Sequence, residues 1–282
     1  MTDAYVEQDL SAVEINRVFH DHECEYYDQR FAIVHDQRSA RRSLDEVESL
    51  LGGPIPEGAR VLDVGCGTGW YAAGLSKSRP DLAVLGSDLS MGMLGRAREA
   101  GASRLIQADA TRMPMPDGAL DLVVARGVLH HMPDVEAALR EWHRLLKPGG
   151  ALVVTSEPTP SVERHGGWLV RGLLPLLRRP LSPVEDFWEV ASMAANLHVF
   201  TQAQLEELAF AAGWTDVELM TADLFSTMVL TASYVTHGRR PGLAKRLPWR
   251  LMEDLGRLVD STLVSRAVPA SMRHTVVGVL RR

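Results

Sequence analysis

Residues 61–70 read VLDVGCGTGW. An apolar run ending in Asp63 and Val64 passes straight into three alternating glycines, Gly65, Gly67 and Gly69. A chain takes on that much glycine only where backbone turns tightly or comes close to something else. A phosphate loop would need a Lys-Ser/Thr pair after its glycines, and none follows. A dinucleotide fingerprint would need glycine where Trp70 stands. The carboxylate ahead of the turn suits a cationic group better than a pyrophosphate, which it would repel at close range.

On either side of this turn, residues 60–156 alternate short apolar runs with helical patterns. The runs are 60–64, 83–87, 104–108, 120–125 and 151–156, with helices predicted over 69–78, 91–99 and 134–146. In the last of these, Val135, Ala138, Leu139, Trp142, Leu145 and Leu146 recur at helical spacing. Lys147 suits a helix C-terminus, and Pro148-Gly149-Gly150 stops the helix. Strands alternating with helices predict an α/β fold, a parallel sheet with helices on both faces. Acidic residues close the next two runs. Asp88 ends strand two, where a carboxylate can accept both ribose hydroxyls of an adenosine-type ligand. Asp109, followed by the small Ala110, can accept from an exocyclic amine and let a ring lie flat. One such acid alone is equally a helix N-cap. Three at the ends of successive strands converge on one crevice.

The rest of the chain bounds the function. Its 282 residues carry a formal charge of −6 and contain no block of like charges, so there is no electrostatic case for binding nucleic acid. Cys24 and Cys66 give neither a disulfide framework nor a metal-ligand pair, and no metal is expected. The polar, acidic N-terminus is no signal peptide, and no run of 18 apolar residues occurs; a cytoplasmic setting is expected. The pattern divides the chain into an N-terminal helical lid (1–57), a core (58–156), a cap insertion (157–200), a core helix and strand (201–222), a helical cap insertion (223–272) and a final strand (273–282). Thr201-Gln202-Ala203-Gln204 reads as a capping box, and Gly213 ends the helix it opens. Residues 216–220 and 275–280 read as strands. Leu255, Leu258, Val259, Thr262 and Leu263 fall in helical register.

The motifs VLDVGCGTG, GSDLS, QADATRMPMPDGALDLVVARGVLHHMPD and EWHRLLKPGG together resemble the class I S-adenosylmethionine (SAM)-dependent methyltransferases. The likeness is strongest to their small-molecule branch of ubiquinone and natural-product enzymes. It covers 57–156 closely and 200–220 more loosely. It implies a Rossmann-like seven-stranded sheet, mostly parallel with the last strand antiparallel, plus a helical cap. It implies that Gly65 and Gly67 let backbone approach the methionine and ribose of SAM, that Asp88 binds the ribose hydroxyls, and that Asp109 and Ala110 meet adenine. Arg126 and Gly127 would line the crevice; Asp63, Cys66, Leu89 and Met93 complete the implied cofactor set. HECEYYDQRF at 22–31 resembles the family's lid helix, which makes Tyr27, and after it Tyr26, candidates to fold over the cofactor.

Methyl transfer from a sulfonium is a direct displacement, which asks for in-line orientation, exclusion of water and, where needed, a base. Histidine titrates near neutral pH, which suits deprotonating a phenol or enol. His130 is therefore the candidate base. His131 is a weaker one, since the second histidine of such a run recurs in the family whatever the substrate. His165 and His198 rank below both. Segments after strands five and six emerge where ligands bind in such sheets. Their large apolar residues, among them Trp168, Phe187, Trp188 and Met193, are expected to enclose a cavity lined mainly by apolar and aromatic groups. The expected acceptor is a bulky, largely apolar or lipid-like small molecule, with oxygen favoured and carbon or nitrogen open. The apolar, arginine-flanked run 164–179 leaves membrane contact open. Two alternatives remain: a SAM-binding enzyme without net methylation, such as a cyclase or decarboxylase, and an RNA or protein methyltransferase. The latter lacks its basic face and its Asn-Pro-Pro-Tyr motif here.

Overall fold

A computed structural model describes residues 11–282 except 32, 34, 163, 166–195 and 240. Its centre is a seven-stranded sheet in the order β3-β2-β1-β4-β5-β7-β6. The strands are β1 (Arg60–Val64), β2 (Ala83–Asp88), β3 (Leu105–Gln107), β4 (Leu120–Arg126), β5 (Leu146–Pro158), β6 (Asp216–Ala222) and β7 (Thr275–Arg281). β7 runs antiparallel between β5 and β6; the pairings among β1 to β5 are parallel. This is the expected sheet, including its reversed last strand. β5 begins earlier than the sequence pattern predicts. Lys147–Gly150 does not only stop a helix; it leads in-line into the strand, with an irregular register where Leu120 meets Leu146 and Leu122 meets Ala151.

The apolar runs are continuous because helices cover both faces. On one face Leu62, Val64, Val123, Ala125, Leu152 and Val154 pack with Leu139, Trp142 and Leu145 of α6 (Val135–Leu145) and with Leu205 and Ala209 of α7 (Gln202–Ala211). On the other, Val61, Val84, Leu122, Val124 and Val153 meet α3 (Gln37–Leu51), α4 (Trp70–Ser78) and α5 (Met91–Glu99) through Leu44, Val47, Tyr71, Leu75, Leu94 and Ala97. The capping box forms as its sequence predicts: the Thr201 side chain accepts from Gln204 N while the Gln204 side chain accepts from Thr201 N.

Two helical layers stand at the carboxyl edge of the sheet. The N-terminal one comprises α1 (Ala12–Glu23) and α2 (Tyr27–Arg30). Asp21 ties it down, its Oδ1 accepting from Ser90 Oγ at 2.6 Å and Gly92 N at 3.0 Å; Asn16 Nδ2 donates to the His131 carbonyl at 3.1 Å. The second layer comprises α8 (Phe225–Arg239) and α9 (Trp249–Val259). Of the residues in helical register along α9 and the π-helical turn Asp260–Val264 that continues it, Leu255, Leu258, Thr262 and Leu263 are exposed and Val259 is half-buried; Trp249, Glu253, Gly256, Asp260 and Val264 are the buried residues. Polar partners explain this orientation. Asp260 accepts from the backbone N–H groups of Leu224, Phe225 and Ser226 at the start of α8, and Glu253 accepts from Arg257 Nε at 2.8 Å. Turned outward, Asp260 would leave the α8 N-terminus unsatisfied. Among the described residues no helix is long and apolar enough to cross a membrane.

Candidate active site

In this sheet the strand order reverses between β1 and β4, so ligands are expected in the crevice beyond their carboxyl ends. Two adjoining chambers lie there. The smaller, of about 220 Å³, is walled by Gly65, Gly67, Asp88, Leu89, Met93, Asp109, Ala110, Arg126, Gly127 and Val128, and by Asn16, Arg17, His20 and Tyr27 of the lid. Gly65 and Gly67 adopt left-handed φ values of +63° and +52°. A Cβ at Gly65 would stand 2.3 Å from Val128 Cγ2, whereas one at Gly67 would meet no protein atom within 4 Å. Glycine is thus required at Gly65 by the protein's own packing, and at Gly67 it keeps the backbone open to a ligand.

The donor set fits an adenosine. Asp88 is held with one oxygen on Gly67 N and the other on Ser90 N, each at 2.8 Å, and offers its remaining lone pairs to neutral hydroxyl donors. Burial raises its pKa, so the carboxylate gains from such donors. Asp109 Oδ1 is taken by Thr111 N and Oγ1, which leaves Oδ2 to accept from an amine. Trp142 Nε1 fixes the Ala110 carbonyl at 3.0 Å, and Leu89, Met93 and Val128 supply apolar walls.

Two members of the expected set stand elsewhere. Asp63 is buried on the α4 side, its Oδ2 accepting from Ala72 N at 2.8 Å, and burial pushes its pKa up to about 7. It fixes the glycine turn to α4 and is not among the lining residues. Cys66 is buried against Gly86, and burial pushes its thiol well above the ordinary range. Tyr27 lines both chambers; Tyr26 points outward and is half exposed.

The larger chamber, of about 460 Å³, opens between the sheet edge, the lid and α8–α9. Trp168, Phe187, Trp188 and Met193 lie outside the described residues. The described wall differs from the expected apolar lining. Phe19, Phe31, Leu230 and Tyr234 share it with Glu23, Glu46, Asp223, Arg42, Arg126, Arg250, Glu253 and Arg257. Charges on α9 reach this wall because its leucine face is turned to solvent.

His130 lines the larger chamber, and His131 lines both. His130 Nδ1 lies 3.0 Å from Glu157 Oε2. Glu157 is fully buried, and its carboxylate also accepts from the backbone N–H groups of Val128, Leu129 and His130. It therefore shapes the turn at Leu129–His131 and orients the His130 ring. His20, from α1, stacks edge-on against His131, their ring centres 4.9 Å apart. Burial, and then the neighbouring His130, hold His20 down at about 4, so it is neutral at physiological pH. His198 bonds the Met132 carbonyl and His165 pairs with His274. Sequence reasoning missed Glu157 and His20. Glu157 carried the same signal as Asp88, an acid at a strand's carboxyl end; Val13, Asn16, Arg17 and His20 recur at helical spacing.

Comparison with known proteins agrees with this fold. Residues 62–154 match a family described as a methyltransferase domain. A demethylmenaquinone methyltransferase of Geobacillus kaustophilus is 30% identical over 205 residues, spanning 69% of this chain and 86% of that protein. One from Staphylococcus carnosus is 32% identical over 173 residues, spanning 58% and 71%. Among solved structures, the [4+2]-cyclase SpnF shares the fold, with a TM-score of 0.59, 22% identity and 97% of each chain covered. A Haemonchus contortus phosphoethanolamine N-methyltransferase solved with S-adenosylhomocysteine has a TM-score of 0.60 at 18% identity, covering 97% of this chain and 60% of that one.

Proposed function

The chain belongs to the class I SAM-dependent methyltransferases, and on that premise we propose that it methylates a hydroxyl of a small, amphiphilic molecule seated in the larger chamber. Asp88 and Asp109 would hold the ribose and adenine of SAM, with Gly65, Gly67, Met93 and Tyr27 around it. SAM, when bound, supplies an electrophilic methyl group. The residues of this chain orient the acceptor, exclude water and take up a proton.

The observation that carries the reading is the Glu157–His130 pair on the wall of the acceptor chamber. With Nδ1–H donated to Glu157, the tautomer is set and Nε2 becomes the basic nitrogen. His130 Nε2 accepts the hydroxyl proton as the oxygen becomes nucleophilic. A base so placed contributes about two to four powers of ten; orientation contributes more, roughly 7–11 kcal/mol in favourable cases. Demethylmenaquinone, the acceptor in the relatives' names, is a second reading. Phe19, Phe31 and Tyr234 favour it by giving the chamber an aromatic side.

The test is incubation with SAM carrying a trideuterated methyl group and a small-molecule extract of the host, read by mass spectrometry. One or more labelled products is the expected result. Tight S-adenosylhomocysteine binding with no labelled product would point to a SAM-binding enzyme without net transfer.

A further inference from the structure

Two buried donors of residues that line the larger chamber have no hydrogen-bond partner among the described residues. Trp70 opens α4 and lines the larger chamber but not the smaller. Its indole Nε1 is buried without a hydrogen-bond partner among the described residues. Arg126 ends β4 and lines both chambers, and its Nε is likewise buried and unpartnered. The two side chains touch: the Arg126 guanidinium carbon stands 5.3 Å from the centre of the Trp70 ring.

The other arginines of this wall are each matched to a carboxylate. Arg42 holds Asp254 at 2.7 Å, Arg250 holds Asp36 at 2.7 Å, and Arg257 holds Glu253 at 2.8 Å. Arg126 has no salt bridge among the described residues. An Nε–H withdrawn from water without a partner is costly, and a buried indole N–H left unpaired adds to that cost. Such donors are retained where a ligand completes them.

Resting on the methyl-transfer reading, we propose that Trp70 Nε1 and Arg126 form a carboxylate-binding site, so that the acceptor is a hydroxy acid. Its carboxylate sits on this pair and its hydroxyl faces His130. One cation and one neutral donor suit a singly charged, planar anion. A doubly charged phosphate would face Glu23, Glu46 and Asp223 on the same wall. The carboxylate of the cofactor itself is the rival occupant. Trp70 argues against it, because of the two chambers Trp70 borders the larger and not the smaller. Gly127 joins the two ends of the site: it follows Arg126, and a Cβ there would lie 3.7 Å from His130 Cε1.

The test is calorimetry on the whole chain saturated with S-adenosylhomocysteine. The probes are 4-hydroxybenzoate, salicylate and 3-hydroxyoctanoate, each against its own amide. At least one acid should bind about tenfold more tightly than its amide, the scale of a charge-assisted hydrogen bond. Trp70→Phe keeps the ring and removes the N–H; it should weaken that acid by about fivefold and leave both the amide and S-adenosylhomocysteine unchanged. Arg126→Met should abolish the preference for acid over amide. Acids bound no better than amides, or not bound at all, would overturn the proposal. So would a Trp70→Phe variant that loses affinity for S-adenosylhomocysteine and not for the acid, since that gives the pair to the cofactor. Binding of S-adenosylhomocysteine to the wild type is read in the first titration. Failure of the methyltransferase reading therefore shows there, separately from failure of the carboxylate site.

Discussion

Three side chains test the site one by one. Asp88 is placed to accept two hydroxyls, so Asp88→Ala should weaken S-adenosylhomocysteine ten- to a hundredfold, about 1.5–3 kcal/mol. Unchanged affinity in a folded variant would remove it from the site. His130→Ala should lower kcat by about two to four powers of ten with cofactor affinity intact. Full turnover across the pH range would leave catalysis to orientation alone. Asp63 gives a prediction about stability. Its pKa is raised to about 7 in the fold, from about 3.9 in an unfolded chain. The folded state thus holds the proton more tightly, and this contribution is complete below about pH 4 and lost as pH rises through about 7. Asp63→Asn keeps an oxygen for Ala72 N but carries no charge. Its stability relative to wild type should grow from pH 5 to pH 8 by more than about 1 kcal/mol. A constant difference in denaturant midpoints across that range would contradict the buried, proton-holding carboxyl.

At the scale of elements, Glu157 links the end of β5 to the turn Leu129–His131. Its carboxylate takes three backbone N–H groups and the His130 ring. Glu157→Gln replaces one acceptor oxygen with a donor, so at least one N–H of the turn loses its partner. We expect a loss of about 1–3 kcal/mol in stability. A fall in kcat should come with it, and the pH–rate profile should move because the His130 tautomer is no longer fixed. Loss of stability with an unmoved pH profile would make Glu157 a brace for the turn only. The α9 helix carries the complementary lesson. Spacing showed that Leu255, Leu258 and Leu263 share a face. It did not show that this face turns to solvent, because the decision rests with Asp260 on α8 and Glu253 on Arg257.

At the scale of the whole molecule, the smaller chamber lies between the sheet edge and a lid that Asp21 and Asn16 hold to that edge. Val13, Asn16, Arg17, His20 and Tyr27 of α1 and α2 line it. S-adenosylhomocysteine at a hundred times its Kd should stabilise the fold by about 2.7 kcal/mol. It should also slow hydrogen exchange across residues 12–31. Protection confined to the sheet and its loops would mean that the lid takes no part in binding.

The sequence by itself determined the sheet, the glycine turn and the acids that follow β2 and β3. Each of these is local: periodicity, a capping residue or a glycine φ lies within a few residues of its cause. It also placed His130 at the carboxyl edge of the sheet, where it lines the larger chamber, since the strand end that carries it is local too. Only the tertiary structure decided that Asp63 and Cys66 turn away from the chamber, that α9 presents charge inward, that His20, Trp70 and Arg126 meet around one cavity, and that Glu157 stands behind its His130. Those outcomes depend on partners in other elements, from Ala72 for Asp63 to Glu157 for the turn at Leu129–His131, or on which side of an element is buried. Buried polar groups settle them by taking the orientation in which their hydrogen bonds are met.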